Sequence, residues 1–255
     1  MSAFHVIIPA RFASTRFPGK PLADIGGKPM IQRVYEKATQ SKAKSVVIAT
    51  DDNRISKIAQ KFGATVCMTS THHQSGTDRI AEATELLEFD EDEIIVNIQG
   101  DEPLIDPEII NQAADDLDKN EYAEVSTLCD PIKDAQQIFD ANIVKIILDQ
   151  DGYALYFSRA PIPWNRDKFS LEKQDYSDPV IFDCYYRHIG IYAYRVNFLQ
   201  EYVTWKPCML EIVERLEQLR MLFNGVNIYV GLAKGKTGIG VDTLNDLEKI
   251  RKLID

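Results

Sequence analysis

Apolar positions in the first half of the chain come as short continuous runs separated by amphipathic stretches. His5-Val6-Ile7-Ile8 has the length and β-branched content of a buried strand. The run 45–49, SVVIA, predicts a second strand, ATVCMT a third and 94–98, IIVNI, a fourth. The last is nearly continuous in apolar residues, as a strand covered on both faces is. Between these runs the apolar positions take helical spacing. One helix opens near Pro29-Met30, and another runs from Thr50-Asp51-Asp52 to Phe62, where Gly63 ends it. A third covers TDRIAEATELLEF, and Pro107 starts a fourth. This alternation predicts an α/β fold with a mostly parallel, doubly wound, Rossmann-like sheet and helices on both faces. Ligands bind such sheets outside the carboxyl ends of the strands.

The second half is less regular. Residues 143–148 and 153–158 flank Asp149-Gln150-Asp151-Gly152, and Asp-Gly there is a hairpin signal. Residues 160–183 are proline-containing and charged, which predicts loop, and 188–194 predict a strand. A single helix is expected over 209–223, with Ile212, Leu216, Leu219 and Phe223 on one face and Asn224-Gly225 at its end. A last strand at 227–233 and a helix at 243–254 follow. With no repeat or linker in view, the expectation is one domain, 1–255, with a substrate-side insertion near 153–225.

A chain of 255 residues, 45% hydrophobic, can bury a large core. Its net charge of -10 argues against nucleic-acid binding, which needs a basic surface to release counterions. No apolar run approaches the roughly 18 residues of a membrane span, and no basic n-region opens the chain, so the expected location is the cytoplasm. Cys67, Cys129, Cys184 and Cys208 are scattered without a CxxC, which predicts buried free thiols rather than zinc or disulfides.

Candidate chemistry begins in the stretch 9–22, PARFASTRFPGKPL, which leaves the first strand. Connections of this kind usually run about 2–6 residues. Here Arg11, Arg16 and Lys20 are interleaved with Ser14, Thr15 and Gly19, a composition that can wrap polyphosphate. Ser14 and Pro21 stand where a Walker loop needs Gly and Ser or Thr. Asp101 follows a buried strand and a glycine, so it either enters the ligand crevice or closes an Asx-turn. Asp242 precedes the last helix, where capping is the commonest role of Asp. Ser75-Gly76-Thr77-Asp78-Arg79 opens a helix with a cation in its first turn, against the dipole, which hints at an anion or partner nearby. Arg159 suits a carboxylate, of a substrate or of a salt bridge. His188 and Tyr192 sit four apart on a strand and share a face. Glu217 and Gln218 flank the apolar face of the helix at 209–223, and His72-His73 diverge too far to share a metal.

The stretch PARFASTRFPGKPL resembles the signature loop of the sugar-activating cytidylyltransferases, in detail the branch acting on the acid sugar 3-deoxy-manno-octulosonate (Kdo). Further landmarks follow in that family's order: SGTDR at 75–79, NIQGDEP at 97–103, YFSRAPIPWNRD at 156–167, RHIGIYAYR at 187–195, LEQLR at 216–220 and GVDT at 240–243. The resemblance covers nearly the whole chain. It implies that CTP and Kdo give CMP-Kdo and pyrophosphate, activating Kdo for lipopolysaccharide biosynthesis. The rivals are the same chemistry on an amino-substituted Kdo, and a nucleotide-binding module without turnover. It implies nucleotide contacts from Ala10, Arg11, Ser14, Lys20, Ser75, Gly76, Arg79 and Gln99. Sugar contacts would come from Gln99, Arg159, His188, Tyr192, Glu217 and Gln218. Asp101 and Asp242 would bind Mg²⁺ and act in catalysis with Arg11 and Lys20. The family's usual state is a homodimer. One departure is Lys234-Gly235-Lys236-Thr237-Gly238 ahead of GVDT, where the family pattern has proline.

Overall fold

Every residue of the first strand, β1 (Phe4–Ala10), is buried, because helices cover both faces of the sheet it centres. The computed structural model describes residues 3–13, 17–169, 184–238 and 240–254. After β1 come a 3₁₀ turn at Lys20–Leu22, the small hairpin β2 (Asp24–Ile25) and β3 (Lys28–Pro29), α1 (Met30–Ala38), β4 (Ser45–Thr50), α2 (Asn53–Lys61) and β5 (Thr65–Met68). Next are α3 (Gly76–Leu86), β6 (Ile94–Asn97), α4 (Pro107–Lys119), β7 (Val125–Pro131) and α5 (Ala135–Phe139). The chain continues through the hairpin β8 (Lys145–Leu148) and β9 (Ala154–Ser158), then β10 (Tyr186–Arg195) and α6 (Val196–Tyr202). It closes with α7 (Met209–Glu214), α8 (Gln218–Phe223), β11 (Ile228–Leu232) and α9 (Leu244–Ile254).

The main sheet runs β11-β7-β10-β6-β1-β4-β5. β1 pairs in parallel with β4 and β6, β4 with β5, and β7 with β11. β10 alone of this path lies antiparallel, between β6 and β7. The expected mostly parallel, doubly wound sheet is therefore present. Helices α1, α2 and α4 pack Val34, Ile55 and Ile110 onto one face. Helices α3, α6 and α8 pack Ile80, Leu199 and Leu219 onto the other. The chain leaves β1 toward β4 on one side and returns to β6 on the other, so the switch point lies beside β1. The loops after β1 and β6 both open there, which is where such sheets bind ligands.

Two expectations need correction, and one unassigned stretch takes shape. The helix expected over 209–223 is two helices. Arg215 takes φ 53 and ψ 50, its N–H bonds to the carbonyl of Glu211, and α7 stops there. Arg220 then forks onto Glu211, with Nε to Oε2 at 2.7 Å and Nη2 to Oε1 at 2.5 Å, and holds the corner closed. Leu216 and Leu219 are buried as expected, but Ile212 and Phe223 are 55% and 66% exposed because the break turns their sides outward. The stretch between α4 and β8, unassigned from sequence, holds β7 and α5. Cys184 is exposed, unlike the other three thiols, because it lies just before β10 at the surface.

Candidate active site

Two cavities open at the carboxyl ends of β1 and β6. The outer one, about 360 Å³, is lined by the loop after β1 (Ala10, Arg11, Lys20) and the loop after β6 (Gly100, Asp101). The inner one, about 310 Å³, lies between β6, β10 and the α7–α8 corner, with His188, Tyr192, Glu217 and Gln218 in its wall. Gly76 and Gln99 line both, so the cavities meet at these two residues.

The long loop is shaped at its base by Gly19. Its N–H donates to the carbonyl of Phe12 at 2.9 Å, at a φ of 74. A side chain there would also press on the Phe12 ring, which itself lies under Arg54 at 3.3 Å from the ring centroid. Gly100 answers a different need, since a Cβ would come 3.1 Å from the carbonyl oxygen of Pro9. That close approach lays the second loop against the first. Arg11 donates through Nη1 to the carbonyl of Gln74 at 2.9 Å. Its Nη2 is buried with no partner among the described residues, and Arg11 lines the outer cavity. Burial, followed by the neighbouring Arg79, lowers the Arg11 pKa from its ordinary value.

Lys20 sits at the centre of the charge cluster. Its Nζ donates to Asp101 Oδ2 at 2.5 Å, to the carbonyl of Val241 at 2.9 Å and to Asp242 Oδ1 at 3.4 Å. The tail reaches this point because Val241 N–H donates to the carbonyl of Asp101 at 2.9 Å. Upstream, Thr237 is tied to Asp130 at 3.0 Å and to Arg187. The segment that departs from the family's proline pattern is thus anchored by side chains. Asp242 is not the cap of α9. Thr243 takes that role: its Oγ1 accepts from Asp246 N–H at 3.2 Å, and Asp246 Oδ2 accepts from Thr243 N–H at 3.1 Å. This reciprocal pair leaves the Asp242 carboxylate outside the capping geometry. Glu102 lies beside the pair, and its carboxyl pKa is pushed up to about 7 by burial and then by Asp101 and Asp242.

Two carboxylates that converge on one ammonium make a hard-oxygen site for a cation. Among the described residues no group of three or more His, Cys, Asp or Glu could hold a metal. Asp101 and Asp242 are hard oxygen donors, the chemistry that Mg²⁺ takes in small number with phosphate and water completing its shell.

In the inner cavity, Thr127 fixes the His188 tautomer. The single Thr127 hydroxyl proton goes to the carbonyl of Ile191 at 2.7 Å, so its oxygen accepts from His188 Nε2–H at 2.9 Å. Nδ1 is left as an acceptor. Burial pushes the His188 pKa down to about 3, so the ring is neutral. The Glu217 pKa is raised, chiefly by burial, and Glu217 Oε2 accepts from Thr77 Oγ1 at 2.9 Å. Gln218 is buried at the start of α8.

Three expected residues stand elsewhere. Arg79 is fully buried, with Nη2 on Asp51 at 2.7 Å and Nη1 on Thr69. It faces the core side of α3 and lines neither cavity. The partner hinted at by a cation in the first turn is Asp51, and breaking such a buried pair costs about 3–5 kcal/mol. Arg159 donates through Nε to the carbonyl of Glu214 at 2.7 Å and through Nη1 to that of Ala141 at 2.9 Å. It braces the wall behind the inner cavity rather than lining it. Ser75 caps α3, accepting from Asp78 N–H at 3.0 Å, and lines neither cavity, whereas Gly76 lines both. Ser14 lies outside the described residues, as does Arg16. His73 pairs with Glu82 at 2.5 Å, while His72 is exposed. Sequence reasoning missed Asn97, Thr77 and Arg215, which line the inner cavity, and Glu102. Asn97 was within reach, because the period of a strand sets it on the same side as Gln99.

The cytidylyltransferase family matches residues 5–228 of this chain. A 3-deoxy-manno-octulosonate cytidylyltransferase of Histophilus somni (strain 2336) is 56% identical over 252 residues, covering 98% of each chain. The protein of that name from Pasteurella multocida (strain Pm70) is 54% identical over 258 residues, covering 100% of both. Among solved structures, a CMP:2-keto-3-deoxy-manno-octonic acid synthetase complexed with CTP superposes with a TM-score of 0.88 at 42% identity. That match covers 99% of this chain and 98% of the other.

Proposed function

This chain belongs to the cytidylyltransferase family, and we propose that it couples CTP to Kdo, forming CMP-Kdo and releasing pyrophosphate. The observation that carries this reading is the meeting of two cavities at Gly76 and Gln99, beside the cluster of Lys20, Asp101 and Asp242. CTP occupies the outer cavity, with its phosphates toward Arg11 and Lys20. Kdo occupies the inner one, with its anomeric hydroxyl toward the junction.

The anomeric oxygen attacks the α-phosphorus. A new O–P bond forms as the bond to the pyrophosphate oxygen breaks on the far side, and the hydroxyl proton is released. No residue becomes covalent. Two cavities with a shared wall hold the reacting atoms in one geometry, which removes much of the entropic part of the barrier. Arg11 and Lys20 neutralise the phosphate oxygens as charge redistributes. Asp101 and Asp242 would hold Mg²⁺, which would supply charge neutralisation for the phosphates and acidify the attacking hydroxyl. Neutral His188 accepts from a sugar hydroxyl through Nδ1, and Glu217 and Gln218 contact others. Arg159 supports this wall from behind.

The product is an activated acid sugar, suited to lipopolysaccharide assembly from the cytoplasm. No helix of the described residues is long and apolar enough to cross a membrane. Met209, Val213 and Phe223 form exposed apolar surface along α7 and α8, and this supports a homodimer through the insertion. Pyrophosphate release from CTP, Mg²⁺ and Kdo tests the reading. CTP should exceed ATP and GTP by more than about tenfold in kcat/KM, since a pocket built for one base leaves its groups unpaired with another. Equal use of a purine triphosphate would remove the cytidylyl assignment. CTP binding without turnover would favour a non-catalytic module, and faster turnover of an amino-substituted Kdo would change the sugar.

A further inference from the structure

The loop between β5 and α3 has no apolar side chain from Ser70 to Ser75, and Thr71, His72 and Gln74 are exposed. With nothing to bury, it takes its shape from hydrogen bonds. Two acids of α3 supply them. Asp78 and Glu82 lie four apart, one above the other on one face of the helix. Asp78 Oδ2 accepts from Ser75 N–H at 3.0 Å, at the end of the loop. Glu82 Oε2 accepts twice near its start, from Ser70 N–H at 2.7 Å and from His73 Nε2 at 2.5 Å. A carboxylate only accepts, so the His73 proton here sits on Nε2. Burial works to raise the Glu82 pKa, but the bonds from His73 and Ser70 outweigh it and hold the carboxyl below its ordinary value. Inside the loop, His72 N–H donates to Ser70 Oγ at 3.1 Å and Gln74 Nε2 donates to the carbonyl of His72 at 3.0 Å.

This framework ends on Arg11. The Gln74 carbonyl accepts from Arg11 Nη1 at 2.9 Å, while Arg11 Nη2 is buried without a partner among the described residues. Arg11 is partly desolvated and lies near a second cation, Arg79. Both effects favour turning the guanidinium out to water, so an acceptor is needed to keep it at the outer cavity. The Gln74 carbonyl is such an acceptor, and its position depends on the bonds that Glu82 receives. Neither Glu82, Ser70, His73 nor Gln74 lines a cavity. An acid in the second turn of α3 also serves the helix less well than alanine would by propensity. Its two bonds to the loop give it a role that the helix does not require.

We propose that Glu82 is a positioning residue for nucleoside triphosphate binding, holding the loop through Ser70 and His73 so that the Gln74 carbonyl keeps Arg11 at the outer cavity. The inference rests on the reading of that cavity as the CTP site. It extends the nucleotide site to a carboxylate that the nucleotide never touches.

The test measures CTP affinity of the full chain by calorimetric titration, and then the KM values for CTP and Kdo with Mg²⁺. Glu82→Ala should weaken CTP binding about tenfold and raise the KM for CTP alike, with the KM for Kdo unchanged. His73→Ala should move the same parameter by less, because Ser70 N–H keeps its acceptor. Glu82→Gln should restore most of the affinity: its oxygen still serves Ser70, and its amide suits the other tautomer of His73. The decisive comparison is made in an Arg11→Ala background. There Glu82→Ala should add almost nothing to the loss of CTP affinity, since it acts through the missing guanidinium. Losses that add in the double variant would make Glu82 a structural residue of the loop and overturn the inference. Unchanged CTP affinity in His73→Ala and Glu82→Ala, or in His73→Ala alone should Glu82→Ala not fold, would overturn it as well. A wild type that binds no CTP would overturn the nucleotide reading and this inference with it.

Discussion

Lys20 Nζ lies 2.5 Å from Asp101 Oδ2, and the same ammonium reaches Asp242 Oδ1 at 3.4 Å. One cation from the loop after β1 thus gathers two carboxylates 141 residues apart in sequence (242 minus 101). Without it, Asp101 and Asp242 would repel each other beside Glu102, already pushed up to about 7. Lys20 is thus the counter-ion of this pair.

The carboxylate pair gives the first prediction. Asp101→Asn and Asp242→Asn should each lower kcat by a factor corresponding to roughly 3–4 kcal/mol, by analogy with removing one preorganised stabilising group. The double variant should lose much less than the sum, because either loss disables one shared site. Melting temperatures should change little, since Thr243 and Asp246 cap α9 without help from Asp242. Near-normal turnover of Asp242→Asn at saturating Mg²⁺ would leave Asp101 to hold the ion alone.

Much of this arrangement was legible in the sequence. The strands of the first half announce themselves because β-branched runs fit a sheet covered on both faces, and the long basic loop and Gln99-Gly100-Asp101 fall at strand ends by simple counting. Strand β7 stayed hidden because Ser126 and Thr127 interrupt its apolar run. Their hydroxyls are satisfied only in three dimensions, by the carbonyls of Ala113 at 2.6 Å and Ile191 at 2.7 Å. The break between α7 and α8 was illegible for a related reason. No local signal marks Arg215 for a left-handed conformation, and the fork of Arg220 on Glu211 that closes the corner joins residues nine apart in sequence. A cation at a helix start fits an anion or an internal partner equally well, and the partner of Arg79, Asp51, is 28 residues away in sequence.

His188 predicts a pH dependence. Its pKa in the folded protein is held near 3 by burial, against 6.5 ordinarily. Between these values the unfolded chain binds more protons than the native one. Stability from the neutral ring is therefore fully present above about pH 6.5 and is lost progressively as pH falls toward 3. Urea unfolding at pH 7 and pH 5 should show a smaller drop for His188→Gln than for the wild type. No inflection assigned to His188 should occur in kcat/KM above pH 5. An equal drop in both proteins would mean that the ring titrates normally.

Arg159 is expected to act on stability. Its Nε and Nη1 are engaged by the carbonyls of Glu214 and Ala141, and its own N–H donates to Glu214 Oε2 at 2.9 Å. Arg159→Ala should cost about 1–2 kcal/mol after allowance for partial exposure, which calorimetry would read as a fall of several degrees. A large rise in Kdo KM at an unchanged melting temperature would instead return Arg159 to the sugar.

Arg215 offers the sharpest separation of stability from function. It is exposed, it lines the inner cavity, and its φ of 53 is a conformation that side chains adopt at a cost. Strain held at a cavity wall is characteristic of a functional position. A guanidinium here is a natural partner for the carboxylate of an acid sugar, by charge and by fork geometry. Arg215→Gly removes both features together. The backbone strain is relieved, offset in part by the greater entropy of glycine in the unfolded chain, so the melting temperature should hold or rise slightly. Loss of the charge-assisted contact, worth roughly 1.5–3 kcal/mol, should raise the KM for Kdo by at least about tenfold while the KM for CTP stays put. Arg215→Lys, which keeps charge but not the fork, should fall between. If Arg215→Gly instead melts lower and binds Kdo normally, the residue serves the α7–α8 corner, and the sugar carboxylate is met elsewhere.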